Sequence, residues 1–360
     1  MKPTEKLHDQ GQSLWLDNIT RRMLDAGQIE EYVETHSVTG LTSNPSIFDN
    51  AIATGDYDES IRATSQQGLS SEEIFFNLAI ADLQRAADLF APVHEVTGGV
   101  DGWVSLEVSP LLAYDSAATI AAAKSLHARA QRDNLFVKIP GTPPGLVAIE
   151  ECIASGVPVN VTLLFSADQY VAAADAYLRG IERRVTSGLD ADVGCVASVF
   201  ISRWDTAVSQ SVPEDLKNRL GLAVGQATYR AYRDVMESER FQRLANSGAR
   251  VQRLLWASTK TKDPAAPDTL YVAGLAAPLT INTMPDSTLG GFFDHGEVGE
   301  LLARDGGDCD VLLQRFAAAG IDTTALAQRL QDDGAAAFAT SWSNLLAKID
   351  AQSPTSRGTR

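Results

Sequence analysis

The sequence is poor in the residues from which disulfide frameworks, metal sites and nucleotide cradles are made. Its three cysteines (Cys152, Cys195 and Cys309) lie far apart, are odd in number and form no CxxC. A disulfide framework and a zinc knuckle are therefore not expected, and a reducing cytoplasm fits best. The five histidines (His8, His36, His94, His127 and His295) are scattered, with no HExxH, so no histidine-based metal site is expected. There is no GxGxxG, no phosphate-loop GxxxxGKS or GxxxxGKT, and no GxSxG nucleophile elbow, which leaves dinucleotide, nucleoside-triphosphate and serine-hydrolase chemistry without support. No apolar run approaches the roughly 18 residues of a membrane span. The opening MKPTEKLHDQGQ lacks the apolar core of a signal peptide. Basic residues are also scarce: 30 Lys and Arg against 46 Asp and Glu, a formal charge of −16. Such a field repels a nucleic-acid backbone and an anionic membrane. An anionic substrate would have to be held by a few locally placed cations.

What is present is globular and repetitive in element type. Apolar residues make up 44% and charged residues 21%, and 360 residues suit either two ordinary domains or one large α/β barrel. Short strand-like runs occur at 14–17 (LWLD), 38–42 (VTGLT), 103–108 (WVSLEV) and 135–139 (LFVKI), then at 157–164, 195–201, 253–258 and 279–282. Most are continuous apolar stretches, as in parallel strands covered on both faces. Helical patterns separate them at 19–35, 71–89, 115–129, 166–186 and 223–244. Eight alternations predict an α/β fold, a (β/α)8 TIM barrel, as a single domain over 1–350. Extra helices are expected after strand 2, within 45–102, and at the C-terminus, at 323–333 and 335–349. The polar residues 351–360 (AQSPTSRGTR) read as a flexible tail.

A barrel without metal, nucleotide or serine machinery still has lysine covalent catalysis open to it. Only eight lysines occur, and one, Lys138, lies inside the apolar run LFVKIP. A strand interior strips water from an ammonium and favours the neutral, nucleophilic amine. A lysine paired with a carboxylate at the barrel mouth, or one facing solvent on an edge strand, would read the same way locally. Other strands carry single polar residues near their C-terminal ends, where barrel active sites lie: Asp17, Asn44, Glu107, Asn160 and Thr162. Two carboxylates, two amides and a hydroxyl around one lysine are the set an imine-forming enzyme needs.

At these residues the chain resembles the transaldolase family. The segments are GLTSNPSIF (40–48), VKIPGT (137–142), NVTLLFS (160–166) and RLLWAST (253–259), within a match running with gaps from about Leu14 to Asp286. The resemblance implies a class I aldolase-type barrel. Such a barrel moves a dihydroxyacetone unit from sedoheptulose 7-phosphate or fructose 6-phosphate to glyceraldehyde 3-phosphate or erythrose 4-phosphate, in the non-oxidative pentose phosphate pathway. It also implies roles. Lys138 matches the imine lysine, Asp17 the acid/base at the C4 hydroxyl, Glu107 a carboxylate working through a water, and Thr162 a residue that holds that water. Asn44 and Asn160 match amides around the dihydroxyacetone moiety, Ser198 a substrate contact, and Arg203 and Ser258 phosphate contacts. Where well-studied members carry a second arginine this chain has Lys260, followed by Lys262, and either lysine can supply that charge. No cofactor and no metal is implied. The expected partners are sugar phosphates, with neither nucleic acid nor membrane, in a monomer or homodimer.

Two other readings use the same residues. One is a free aldolase of the fructose-6-phosphate type, which shares the chemistry up to the enamine; the long 45–102 insertion and the C-terminal helices favour the transferase. The other is a non-catalytic sugar-phosphate-binding barrel, against which Lys138, Glu107 and Asp17 argue, since a binder has no use for a buried amine.

Overall fold

A computed structural model describes residues 1–352 of the chain. Eight strands form one parallel sheet: β1 (Gln12–Leu16), β2 (Val38–Leu41), β3 (Val104–Glu107), β4 (Leu135–Pro140), β5 (Val159–Leu164), β6 (Cys195–Phe200), β7 (Arg253–Ala257) and β8 (Thr280–Met284). Their order is β2-β1-β8-β7-β6-β5-β4-β3. β2 and β3 complete the ring through a Gly40–Trp103 bridge, in which the Leu41 N–H donates to the Trp103 carbonyl at 2.9 Å. A Cβ on Gly40 would fall 2.7 Å from that carbonyl oxygen and 2.8 Å from the Trp15 indole, so the junction demands glycine. The architecture is the expected (β/α)8 TIM barrel. No helix among the described residues is long and apolar enough to cross a membrane.

Strand residues alternate between the barrel interior and the helix layer. Towards the N-terminal end the interior is plugged by aromatics: Trp103 stacks on Phe136 with centroids 4.0 Å apart, and Trp15 lies 6.3 Å from the same ring. Two residues further along the same strands, the inward positions are Asp17, just past β1, and Lys138 on β4. The aromatic plug is thus the floor on which the polar layer stands.

The helices differ from the sequence expectation mainly at breaks. The segment expected at 19–35 forms two helices, Arg21–Asp25 and Gln28–His36. That expected at 223–244 is split at Ser238, whose extended backbone and Oγ cap the second piece through the Phe241 N–H at 3.2 Å. Asp115 and Ser166, expected as first helical residues, are instead N-caps. Conversely, the two helices expected at 323–333 and 335–349 are one continuous helix, Thr323–Gln352, running straight through Gly334. That helix takes in Ala351 and Gln352 of the expected tail; residues 353–360 lie outside the described residues.

The 45–102 insertion holds the helices Pro45–Ile52, Asp58–Ser65 and Ser71–Val96. It is joined to the C-terminal helix by an aromatic cluster in which Trp342 lies 4.9 Å from Phe75 and 5.6 Å from Phe76. It is joined to the barrel by Asp82, a buried carboxylate that accepts from Arg21 (3.0 Å) and from the Tyr57 hydroxyl (2.8 Å). Removing the cation of a buried pair leaves a charge without compensation, at a cost of about 3–5 kcal/mol. Arg21→Met should therefore lower the urea midpoint by a corresponding amount, whereas Arg22→Met, at an exposed pair with Asp56, should shift it little.

Candidate active site

Register brings the polar residues together. In the parallel ladders Glu107 lies beside Lys138, and Lys138 beside Asn160. The Lys138 Nζ is buried, 3.3 Å from Glu107 Oε2, and donates to the Ser43 carbonyl at 3.1 Å. An ion pair of this kind is also what a purely structural lysine would make. Lys138 differs in lining an open cleft of about 320 Å³ at the C-terminal mouth of the barrel.

Both carboxylates are held above the ordinary range, chiefly by burial. For Asp17 the Lys138 charge and a 2.8 Å hydrogen bond from Thr42 oppose the rise, while Asp286 adds to it. For Glu107 the opposition comes from Lys138, and Asp17 adds to the rise as a like charge. Neither Glu107 oxygen makes a hydrogen bond of good geometry, and the buried Thr162 Oγ1 is likewise unpartnered among the described residues. β5 bulges at this point: its register shifts between Val161 and Leu164, and Leu163 takes a left-handed φ of 58°.

The amides are fixed by their own neighbours. Asn44 caps the helix Pro45–Ile52, its Oδ1 accepting from the Ile47 N–H at 3.0 Å with proline at the first helical position, so its NH2 remains for the cleft that it lines. Asn160 is held at both ends, donating to Ser105 Oγ at 3.1 Å and accepting from Ser198 Oγ at 2.7 Å.

The cations occupy another part of the rim. Arg203 opens the helix Ser202–Val208, with its guanidinium carbon 5.1 Å from the Phe200 ring centre and 6.0 Å from that of Phe338. Ser258, directly after β7, has a left-handed φ of 55°, and its Oγ lies 3.0 Å from Ser202 Oγ. Lys260 and Lys262 line the same cleft. Burial, Lys260 and Arg203 push the Lys262 ammonium down, and burial also lowers Arg203, with Asp333 opposing. None of these three cations forms a salt bridge among the described residues. In a chain of charge −16 they make a local positive pocket.

Every residue expected from the sequence falls in this region. Asp17, Asn44, Lys138, Thr162, Ser198, Arg203, Ser258 and Lys260 line the cleft, while Glu107 and Asn160 lie against lining residues, reaching it through Lys138 and Ser198. The sequence reading missed Thr283, whose Oγ1 is 2.8 Å from that of Thr42. It sits at the C-terminal end of β8, and the rule of one polar residue per strand end would have found it had that strand been carried past Asn282. It also missed Phe338, an apolar residue of the C-terminal helix that carries no sequence signal of its place in the cleft. A second cavity, of about 450 Å³, opens at the opposite end of the barrel against Trp103, Phe136 and Tyr232; it is mostly apolar and holds none of the expected residues.

A (β/α)8 barrel with a buried lysine between carboxylates and amides at its C-terminal mouth, and free cations at the rim, belongs to the barrel enzymes that act on small anionic substrates. The family described as Transaldolase/Fructose-6-phosphate aldolase matches residues 14–349. The chain is 42% identical over 358 residues to a transaldolase of Arthrobacter sp. (strain FB24), covering 97% of this chain and 96% of that protein. It is 41% identical to the transaldolases of Thermobifida fusca (strain YX), over 360 residues, and Neisseria gonorrhoeae (strain ATCC 700825 / FA 1090), over 342 residues. The chain belongs to the transaldolase/fructose-6-phosphate aldolase family.

Proposed function

We propose that this chain is a transaldolase, a transferase that carries a dihydroxyacetone unit from a ketose phosphate to an aldose phosphate through an imine on Lys138. The observation that carries the reading is the Lys138 amine itself, buried at the cleft 3.3 Å from Glu107, with the cationic rim formed by Arg203, Lys260 and Lys262. The neutral amine attacks the ketose C2 carbonyl, and the oxygen leaves as water. Protons for this step pass through a water held by Glu107 and Thr162, a role supported by the unpartnered oxygens that both bring to the site. Asp17 takes the C4 hydroxyl proton as the C3–C4 bond breaks and the aldehyde departs. The bonding pair stays on the dihydroxyacetone unit as an enamine. Its carbon attacks the acceptor aldehyde, whose oxygen takes the proton back from Asp17, and hydrolysis frees Lys138. Asn44 and Asn160 hold hydroxyls of the three-carbon unit, Asn160 being oriented by Ser198.

The donors are fructose 6-phosphate and sedoheptulose 7-phosphate, placing the enzyme in the non-oxidative pentose phosphate pathway. The similar lengths and the name shared by the relatives above favour transfer over free aldol cleavage. Fructose 6-phosphate should therefore be consumed only when erythrose 4-phosphate is present; consumption without an acceptor would instead indicate a free aldolase. Three free cysteines suit a cytoplasmic enzyme. The chain works as one domain over 1–350, as monomer or homodimer, which sedimentation would distinguish.

The phosphate handle is bound by Arg203 and Ser258, with Lys260 and Lys262 adding charge. A hydrogen bond to a charged group contributes about 1.5–3 kcal/mol, so Arg203→Ala should raise KM for fructose 6-phosphate about 10- to 100-fold. Plain fructose should be affected little. Lys260→Ala and Lys262→Ala should show milder forms of the same selectivity, and Lys260→Arg should be tolerated because it restores a planar fork. Equal losses on the phosphorylated and plain sugars would mean that these residues support the barrel rather than the phosphate.

A further inference from the structure

The C-terminal helix Thr323–Gln352 carries three residues at one-turn intervals on the side facing the barrel mouth, Gln331, Gly334 and Phe338, of which Phe338 lines the cleft. Gln331 is 2% exposed, and its Nε2 donates to two carbonyls, Gly141 at 3.1 Å and Leu163 at 2.9 Å. Gly141 follows β4, three residues after Lys138. Leu163 is the left-handed residue of the β5 bulge, directly after Thr162. One amide thus latches the helix to the ends of the two strands that bear the imine lysine and the threonine.

One turn on, the helix backbone lies against Arg203. A Cβ built on Gly334 would stand 2.9 Å from Arg203 Nη1 and 3.0 Å from Leu163 Cδ2, closer than side chains pack. Another turn on, the Phe338 ring centre lies 6.0 Å from both the Lys138 Nζ and the Arg203 guanidinium carbon. The guanidinium is therefore confined by Phe200, Phe338 and the bare helix backbone at Gly334. Beyond Phe338 the helix is anchored to the insertion through Trp342 and by a 2.7 Å contact between Ser341 Oγ and Ser46 Oγ.

We propose that this helix is the spacer that fixes the distance between the imine end and the phosphate end of the cleft. In it Gly334 is a positioning residue that acts through Arg203, and Gln331 is the latch that keeps it there. A glycine in the middle of a 30-residue helix is locally unfavourable, and the close approach to Arg203 accounts for its presence. The inference rests on Lys138 as the imine residue and Arg203 as the phosphate residue.

Gly334→Ala separates this role from a merely structural one. Alanine favours the helix, so the melting temperature should hold or rise, while the new methyl displaces the guanidinium. KM for fructose 6-phosphate should rise about tenfold or more, since small misplacements of a substrate-positioning group are costly. Borohydride trapping of plain dihydroxyacetone, which has no phosphate, should keep its wild-type rate. Gln331→Met, which removes the donor at nearly constant size, should raise KM for the phosphorylated sugar and also slow trapping, because both strand ends lose their tie. An unchanged KM in Gly334→Ala, or equal losses with the phosphorylated and plain substrates, would overturn the proposal. The parent reading fails separately: it is wrong if the wild-type protein forms no imine, or if Arg203→Ala shows no phosphate selectivity.

Discussion

Lys138→Ala is expected to lower kcat/KM by at least about 10⁴-fold, toward the ~10⁶-fold that loss of a covalent nucleophile can cost. No other lysine can take over. Of the eight, only Lys260 and Lys262 share the cleft, and both belong to its cationic rim. The substitution also strips Glu107 of the cation 3.3 Å away. Burial already raises this carboxyl above its ordinary range, so it should respond by binding a proton rather than by unfolding the barrel. Circular dichroism should consequently be unchanged. Lys138→Arg is the sharper control: it keeps a positive charge for Glu107 but offers no nucleophilic amine, and it should be as inactive as the alanine variant. Substantial turnover by Lys138→Arg would mean that Lys138 acts through charge alone.

The two carboxylates should fail differently. Asp17→Asn should still form the imine with fructose 6-phosphate, yet release glyceraldehyde 3-phosphate about 10²–10⁴-fold more slowly, the usual cost of removing one acid/base group. Glu107→Gln should be slowed by a similar factor at imine formation itself. Rapid-quench trapping measures the first step and coupled aldehyde release the second, so the division of labour is visible within one experiment. Failure of Asp17→Asn to trap, or losses below about tenfold in either variant, would contradict it. The wild-type pH profile carries a related signature. On the proposed mechanism both groups act as bases in their ionised forms, and both are raised by burial. The rate should therefore climb with pH through a limb lying above the ordinary carboxylate range.

Much of this was legible in the sequence because a parallel barrel writes its strands as short apolar runs and its site as polar interruptions near their ends. Lys138, Glu107 and Asn160 stand out for that reason, and the ladder register then places them side by side. Asp17 and Asn44 were visible as polar residues near the C-terminal ends of the first two strands. What stayed hidden has a common cause. Phe338 and Gln331 reach the site from a helix about 200 residues after Lys138, and their role depends on how that helix crosses the barrel mouth. An amphipathic pattern states that one face is buried but not against what. The continuity of that helix was missed because Gly334 reads locally as a break. Its reason for being there, the approach of Arg203, is tertiary. Ser238 divided a helix expected to be whole because its cap is a hydroxyl in an extended conformation, which periodicity does not register.

The central claim is that Lys138 carries the substrate as an imine, and reductive trapping tests it most directly. Wild-type protein would be mixed with fructose 6-phosphate and borohydride, digested, and mapped by peptide mass. The adduct should be the reduced three-carbon unit if cleavage precedes trapping, or the whole ketose phosphate in Asp17→Asn. In both cases it should lie on the peptide containing Lys138. An adduct on Lys260, Lys262 or any other lysine, or no adduct while fructose 6-phosphate is being turned over, would contradict the account.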